Sequence, residues 1–116
     1  MTAIDDLQRR LREFARERDW ERFHSPKNLS MALSVEAAEL LEHFQWLTED
    51  QSRTLDAERR AAVAHEAADV FIYLLRLADV LGIDLLAAAH DKIAVNERKY
   101  PAERVRGDAR KSTDYP

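Results

Sequence analysis

The chain has 116 residues, the size of one domain, and its 46% hydrophobic and 34% charged residues suit a folded protein better than a disordered one. It has no cysteine, which excludes disulfides and thiolate metal sites. Its formal net charge of −4, from 18 basic and 22 acidic residues, speaks against nonspecific binding to a nucleic-acid polymer, though not against a small phosphorylated ligand held through a metal.

Two glycines and three prolines are too few turn residues for a β protein of this length. No sustained period-two alternation and no internal repeat occur, so the fold class expected is all-α. The first residues, "MTAIDDLQRR", carry no signal-peptide pattern, and Arg76 and Asp79 break the best apolar run before it reaches the ~18 residues of a membrane span. A cytoplasmic protein without membrane contact is the expectation.

The first predicted helix runs from about Ala3 to Arg18. Thr2 caps it, Asp5 sits in its first turn, and Ile4, Leu7, Leu11 and Phe14 form a stripe at spacings of three and four. The second starts with Ser25 as cap and Pro26 at the first helical position, and reaches about Leu47. "TEDQSR" then reads as a loop. The third helix runs from near Thr54 to Gly82, a glycine suited to a left-handed cap. Its second half, "VFIYLLRLADVL", is apolar almost all the way round and so wants burial on every side, which points to a second subunit. The fourth starts with Asp84 as cap and ends near Lys99, where Pro101 blocks continuation. The expected organisation is a helical domain over residues 1–101 and a polar tail over 102–116 that orders on a ligand or partner.

Two of these helices carry carboxylates in apolar surroundings: Glu36 and Glu39 in "SVEAAELLEHF", and Glu66 and Asp69 in "HEAADVFIYLL". Residues three apart on a helix share a face. Unpaired acids gathered in a bundle would repel and lose hydration, and a divalent cation removes both penalties. All-oxygen donors suit Mg²⁺ or Mn²⁺. Exposed faces of amphipathic helices give the same pattern without a metal. A di-iron bundle would need Glu-x-x-His repeats, and the one such spacing, Glu21 to His24, lies off both pairs. Trp20 and Trp46, at helix ends, offer faces that stack on a nucleobase or simply join the core. Lys92, Asn96, Lys99 and Tyr100 share a helix face suited to phosphate and sugar, or to solvent.

The segments "ERDWERFHSPKNLSMALSVEAAELLEHFQWL", "EAADVFIYLLRLADVLGIDL" and "KIAVNERKYP" resemble the MazG-like all-α nucleoside triphosphate pyrophosphohydrolases, in the dCTP pyrophosphatase branch. The resemblance spans nearly the whole chain. It implies a four-helix MazG-like bundle completed by oligomerisation, a tetramer before a dimer. It implies Mg²⁺, with Mn²⁺ as the alternative, on Glu36, Glu39, Glu66 and Asp69, with Glu36 or Glu39 as general base. It assigns substrate contacts to Trp20, His24, Lys27, Asn28, Trp46, Tyr73, Lys92, Asn96 and Tyr100. The implied reaction cleaves a (deoxy)nucleoside triphosphate, dCTP-like by preference, to monophosphate and pyrophosphate, as nucleotide-pool cleansing. Two departures stand out: Leu11 replaces a base-pocket histidine of the animal enzymes, and His65 stands where relatives often carry a further acid. Two other readings fit the same residues. One is a non-catalytic helical assembly module whose acids are salt-bridge partners; the other is a metal-dependent phosphatase that releases orthophosphate.

Overall fold

The computed structural model describes residues 2–114. Four long helices appear as expected: α1 (Ala3–Glu17), α2 (Pro26–Glu42), α4 (Ala57–Leu81) and α5 (Leu85–Lys99). Two short ones, α3 (Glu49–Arg53) and α6 (Ala102–Val105), join them, and no strand occurs among the described residues. The chain forms two compact units, Met1–Ile83 and Asp84–Pro116.

Local chemistry explains the boundaries. Thr2 and Asp5 form a reciprocal capping box at the start of α1. Ser25 accepts from Asn28 N–H, with Pro26 at the first helical position of α2. Asp84 accepts from Ala87 N–H at the start of α5. Gly82, at φ 67°, ends α4, and the pair of bonds from Gly82 N–H to Asp79 O and Ile83 N–H to Ala78 O closes the helix.

Three expectations need correction. The second helix ends at Glu42, not Leu47: Phe44 N–H and Gln45 N–H both donate back to Leu41 O, so residues 43–46 are turns. "TEDQSR" is not a loop, because Thr48 and Gln51 form a capping box that starts α3, and the third long helix begins at Ala57 with Asp56 as its cap. The tail is partly ordered on its own: α6 is followed by a 3₁₀ turn at Ser112–Asp114, and Ser112 N–H donates to the Tyr100 hydroxyl at 2.9 Å.

Within the first unit α2 packs along α4, and α1 packs on α4. The buried apolar set is small: Ala15, Leu29, Leu75 and Ala78. Gln8 donates from Nε2 to Leu75 O at 3.1 Å, and Arg12 Nη1 meets Asp79 Oδ1 at 2.8 Å, so polar ties reinforce the thin apolar contact of α1 with α4. The apolar girth of α4 is only partly covered: Leu75 and Ala78 are buried, while Phe71, Ile72, Val80 and Leu81 are exposed.

α1 ends in an unusual way. Asp19 adopts a left-handed φ of 54° just past the helix. Asp19 N–H donates to Arg16 O and Trp20 N–H to Ala15 O, the same closing pair that Gly82 and Ile83 make. A glycine would be the usual occupant; aspartate is among the few others that tolerate this conformation. The turn throws Trp20 back over α1, where its ring meets Phe14 edge-on at 5.7 Å.

Candidate metal centre and adjoining cleft

Packing α2 on α4 brings Glu36, Glu39 and Glu66 together, with one carboxylate oxygen of each within 4.8 Å of the others. All three are half-buried. Oε2 of Glu36 and Oε2 of Glu66 are cut off from solvent without a hydrogen-bond partner. Ionised carboxylates only accept, so three of them cannot satisfy one another. A proton or a cation must supply what is missing. Without a cation the proton goes to Glu36, whose pKa is pushed up to about 7, first by burial, then by hydrogen bonding with Glu39 and Glu66, then by the charges of Glu39 and Asp69.

The donor set fits a hard divalent cation. It is all oxygen, it is compact enough for one ion to reach all three residues, and its buried lone pairs have no other use. Asp69 stands outside this group of three and instead lines the cleft next to it, while its charge still acts on Glu36.

That cleft, of about 350 Å³, lies between α1 and α4 and is lined by Leu11, Phe14, Trp20, His24, Asp69, Ile72, Tyr73 and Arg76. Its α4 wall recurs at spacings of three and four, so Asp69, Tyr73 and Arg76 share one stripe that continues from Glu66. Acidic cluster and aromatic cleft are thus consecutive along one helix.

The other residues singled out in the sequence fall in different places. Trp20 is in the cleft; Trp46, 86% exposed in the turns after α2, is not among its lining residues. His24 and Tyr73 line the cleft. Asn28 spends its side-chain amide on Phe23 O at 3.0 Å and its backbone N–H on Ser25, which braces the turn into α2. Lys27 is exposed beside it. Lys92 and Asn96 lie exposed on α5 in the second unit. Tyr100 follows α5, and the Ser112 N–H directed at its oxygen lowers its pKa.

The cleft also holds Phe14, Ile72 and Arg76, which were not among the expected site residues, and Arg76 is the polar one. Arg76 is 8% exposed and donates from Nε to His24 Nδ1 at 3.1 Å. Its sequence signal was present: an arginine inside an apolar run, with an aspartate three residues on.

Fold and site together define an all-α protein with a carboxylate cluster suited to a metal ion. The model of the MazG-like family matches residues 31–114, and the chain belongs to that family. It is 44% identical to dCTP pyrophosphatase 1 of Homo sapiens, over 98% of this chain and 68% of the relative. The protein of that name in Bos taurus is 43% identical, over 98% of this chain and 69% of the relative. Among solved structures, a pyrophosphatase from Archaeoglobus fulgidus superposes with a TM-score of 0.82 at 44% identity, covering 87% of this chain and 94% of that one. Among the described residues no helix is long and apolar enough to cross a membrane.

Proposed function

We propose that this chain is a nucleoside triphosphate pyrophosphohydrolase that cleaves between the α- and β-phosphates, releasing the monophosphate and pyrophosphate. A deoxycytidine triphosphate is the favoured substrate, in keeping with the relatives named dCTP pyrophosphatase. Cleansing of the cytoplasmic nucleotide pool is the role assigned. The observation that carries the reading is the Glu36–Glu39–Glu66 cluster, with two buried carboxylate oxygens that no donor satisfies.

Glu36, Glu39 and Glu66 hold the cation, Mg²⁺ by preference and Mn²⁺ as the alternative, with Asp69 contributing negative charge from the cleft side. When bound, the ion supplies positive charge to the phosphate oxygens as negative charge builds up there. Among the acids, the one least committed to the ion takes a proton from the attacking water; Glu36 and Glu39 are the candidates. Trp20 and Tyr73 offer aromatic faces to the base, and His24 a polar contact. Trp46, Lys27 and Asn28 are the further substrate contacts proposed within residues 1–83; Lys92, Asn96 and Tyr100, on residues 84–116, are proposed as substrate contacts from the sequence resemblance alone. Residues 1–101 form the catalytic domain in this reading.

Assembly belongs to the same reading. Trp46, Phe71, Ile72, Val80 and Leu81 are too large and too exposed for an isolated chain to leave in water without cost. A homo-oligomer covers them, with a tetramer favoured over a dimer.

The test is a panel of nucleoside triphosphates with Mg²⁺, scored separately for pyrophosphate and orthophosphate. Pyrophosphate with monophosphate is expected, with dCTP among the best substrates. Orthophosphate alone would make the chain a phosphatase, and no product from any nucleotide would end the reading.

A further inference from the structure

Arg76 interrupts the most apolar stretch of α4 yet is almost fully buried. Its charge is balanced by Asp79, whose Oδ2 lies 3.4 Å from Arg76 Nη1 and whose Oδ1 is held by Arg12 Nη1 at 2.8 Å. This leaves Nε, a permanent donor, aimed at His24 Nδ1 at 3.1 Å. A nitrogen that faces a permanent donor must accept. His24 Nδ1 therefore carries no proton, and the neutral ring keeps its single proton on Nε2. Burial, and after it the charge of Arg76, both disfavour the imidazolium, with Glu21 opposing.

His24 is also part of the cleft wall. Its Nδ1 is taken, so Nε2–H is the polar group it has left to offer a ligand. Leu11 and Phe14, on the α1 side, have nothing polar to contribute. Asp69 lies seven residues before Arg76, about 10 Å along the helix axis, toward the acidic cluster. The cleft is thus donor-tipped at one end and acidic at the other.

We propose that Arg76 is a positioning residue for nucleobase recognition: by donating to His24 Nδ1 it fixes the imidazole so that Nε2–H meets an acceptor atom of the bound base. This rests on reading the cleft as the base site of a nucleoside triphosphate pyrophosphohydrolase. The base class it favours leads with an acceptor edge. Cytosine presents N3 as an acceptor where uracil and thymine carry an N3–H, so an Nε2–H aimed at that position meets an acceptor in cytosine and a second donor in the other two. An unmatched donor pair in a half-buried cleft is penalised, which is how one imidazole discriminates.

The experiment uses the full chain with ¹⁵N-labelled histidine, free of metal and nucleotide, at neutral pH. Two-bond ¹H–¹⁵N correlation spectra read the tautomer, and His24 is assigned by its absence in His24→Gln. A proton on Nε2 and a bare Nδ1 are expected, with a saturable shift of Nε2 as dCMP is added. A proton on Nδ1, an imidazolium, or no shift up to millimolar dCMP overturns the proposal. Tautomer and dCMP shift are both read on the wild-type chain, and His24→Gln serves only to assign the signal.

Arg76→Met adds kinetics; it leaves Asp79 with Arg12 as partner. A rise in KM of about tenfold, with a smaller change in kcat, is expected. The double variant Arg76→Met/His24→Phe should be no worse in KM than His24→Phe alone. Additive KM penalties would show that Arg76 does not act through His24, and would overturn the proposal. A wild type that shows the dCMP shift but releases no pyrophosphate refutes the reaction and supports the pocket assignment. A wild type that releases pyrophosphate with His24 unmoved refutes the pocket assignment alone.

Discussion

Glu36 and Glu66, on facing helices, each hold an Oε2 out of solvent with no donor to meet it. Buried acceptors are normally satisfied, and each exception costs on the order of 1–3 kcal/mol. Two exceptions in one cluster mark the place where the metal-free protein is least at ease.

Removing one negative charge there should relieve the metal-free fold and ruin the chemistry. Glu39→Gln takes away a negative charge that raises the Glu36 pKa. Without metal, its melting temperature should equal or exceed that of wild type. Mg²⁺ should raise the wild-type melting temperature markedly and that of the variant less. Pyrophosphate release should fall by about 10²-fold or more. Paired melting curves with and without Mg²⁺, alongside product assays, check all three. A plain salt-bridge role for these acids forecasts the opposite: stability lost, and no response to Mg²⁺.

The same cluster sets a pH dependence whose sign follows from linkage. Glu36 is raised from 4.5 to about 7, so the folded chain binds a proton there more tightly than the unfolded chain. That contribution is complete below pH 4.5 and is lost as pH rises through about 7. The metal-free melting temperature should therefore decline across this window, and Glu36→Gln should flatten the decline. Mg²⁺ competes with the proton, so its apparent affinity should rise over the same range.

Much of this was legible in advance, because it rests on short-range chemistry. Ser25–Pro26, Gly82 and Asp84 marked helix ends through caps that act over one turn. The three-residue spacing of the acids placed each pair on a face, and packing α2 on α4 did the rest for three of the four. The misses have two sources. Thr48 and Gln51 carried a capping-box signal, but a five-residue helix has too few apolar positions to show a period. Arg76 and His24 are 52 positions apart, so only the folded chain reveals that one orients the other.

Trp20 carries the stacking prediction. Trp20→Ala should raise KM about tenfold while kcat changes less, because a stacking face is shared by ground and transition states. Initial-rate kinetics on the preferred nucleotide decide this. An unchanged KM would remove Trp20 from the base site.

Asp19 offers a stability test away from the acids. Asp19→Gly relieves the left-handed conformation at φ 54° and should stabilise the fold by up to about 1 kcal/mol. Asp19→Val should cost about 1–2 kcal/mol, since a branched side chain resists that conformation. Urea titrations of the two variants should bracket the wild type.

Light scattering at micromolar concentration should show an oligomer. Replacing Phe71 or Val80, exposed on α4, with a charged residue should shift it toward smaller species. A stable, active monomer would contradict the assembly.

The hydrogen bond from Ser112 N–H to the Tyr100 hydroxyl gives the end of this chain an optical reporter. A donated N–H steadies the phenolate, so Tyr100 ionises earlier than a free phenol would. Phenolate and phenol differ in ultraviolet absorbance, so alkaline titration of the intact chain should contain an early tyrosine component. Trimming the chain before Ser112 should erase that component, and anything that pulls Ser112 away from Tyr100 should bleach it reversibly. Whether the segment after α6 is seated can thus be followed in a cuvette, in real time and without a label.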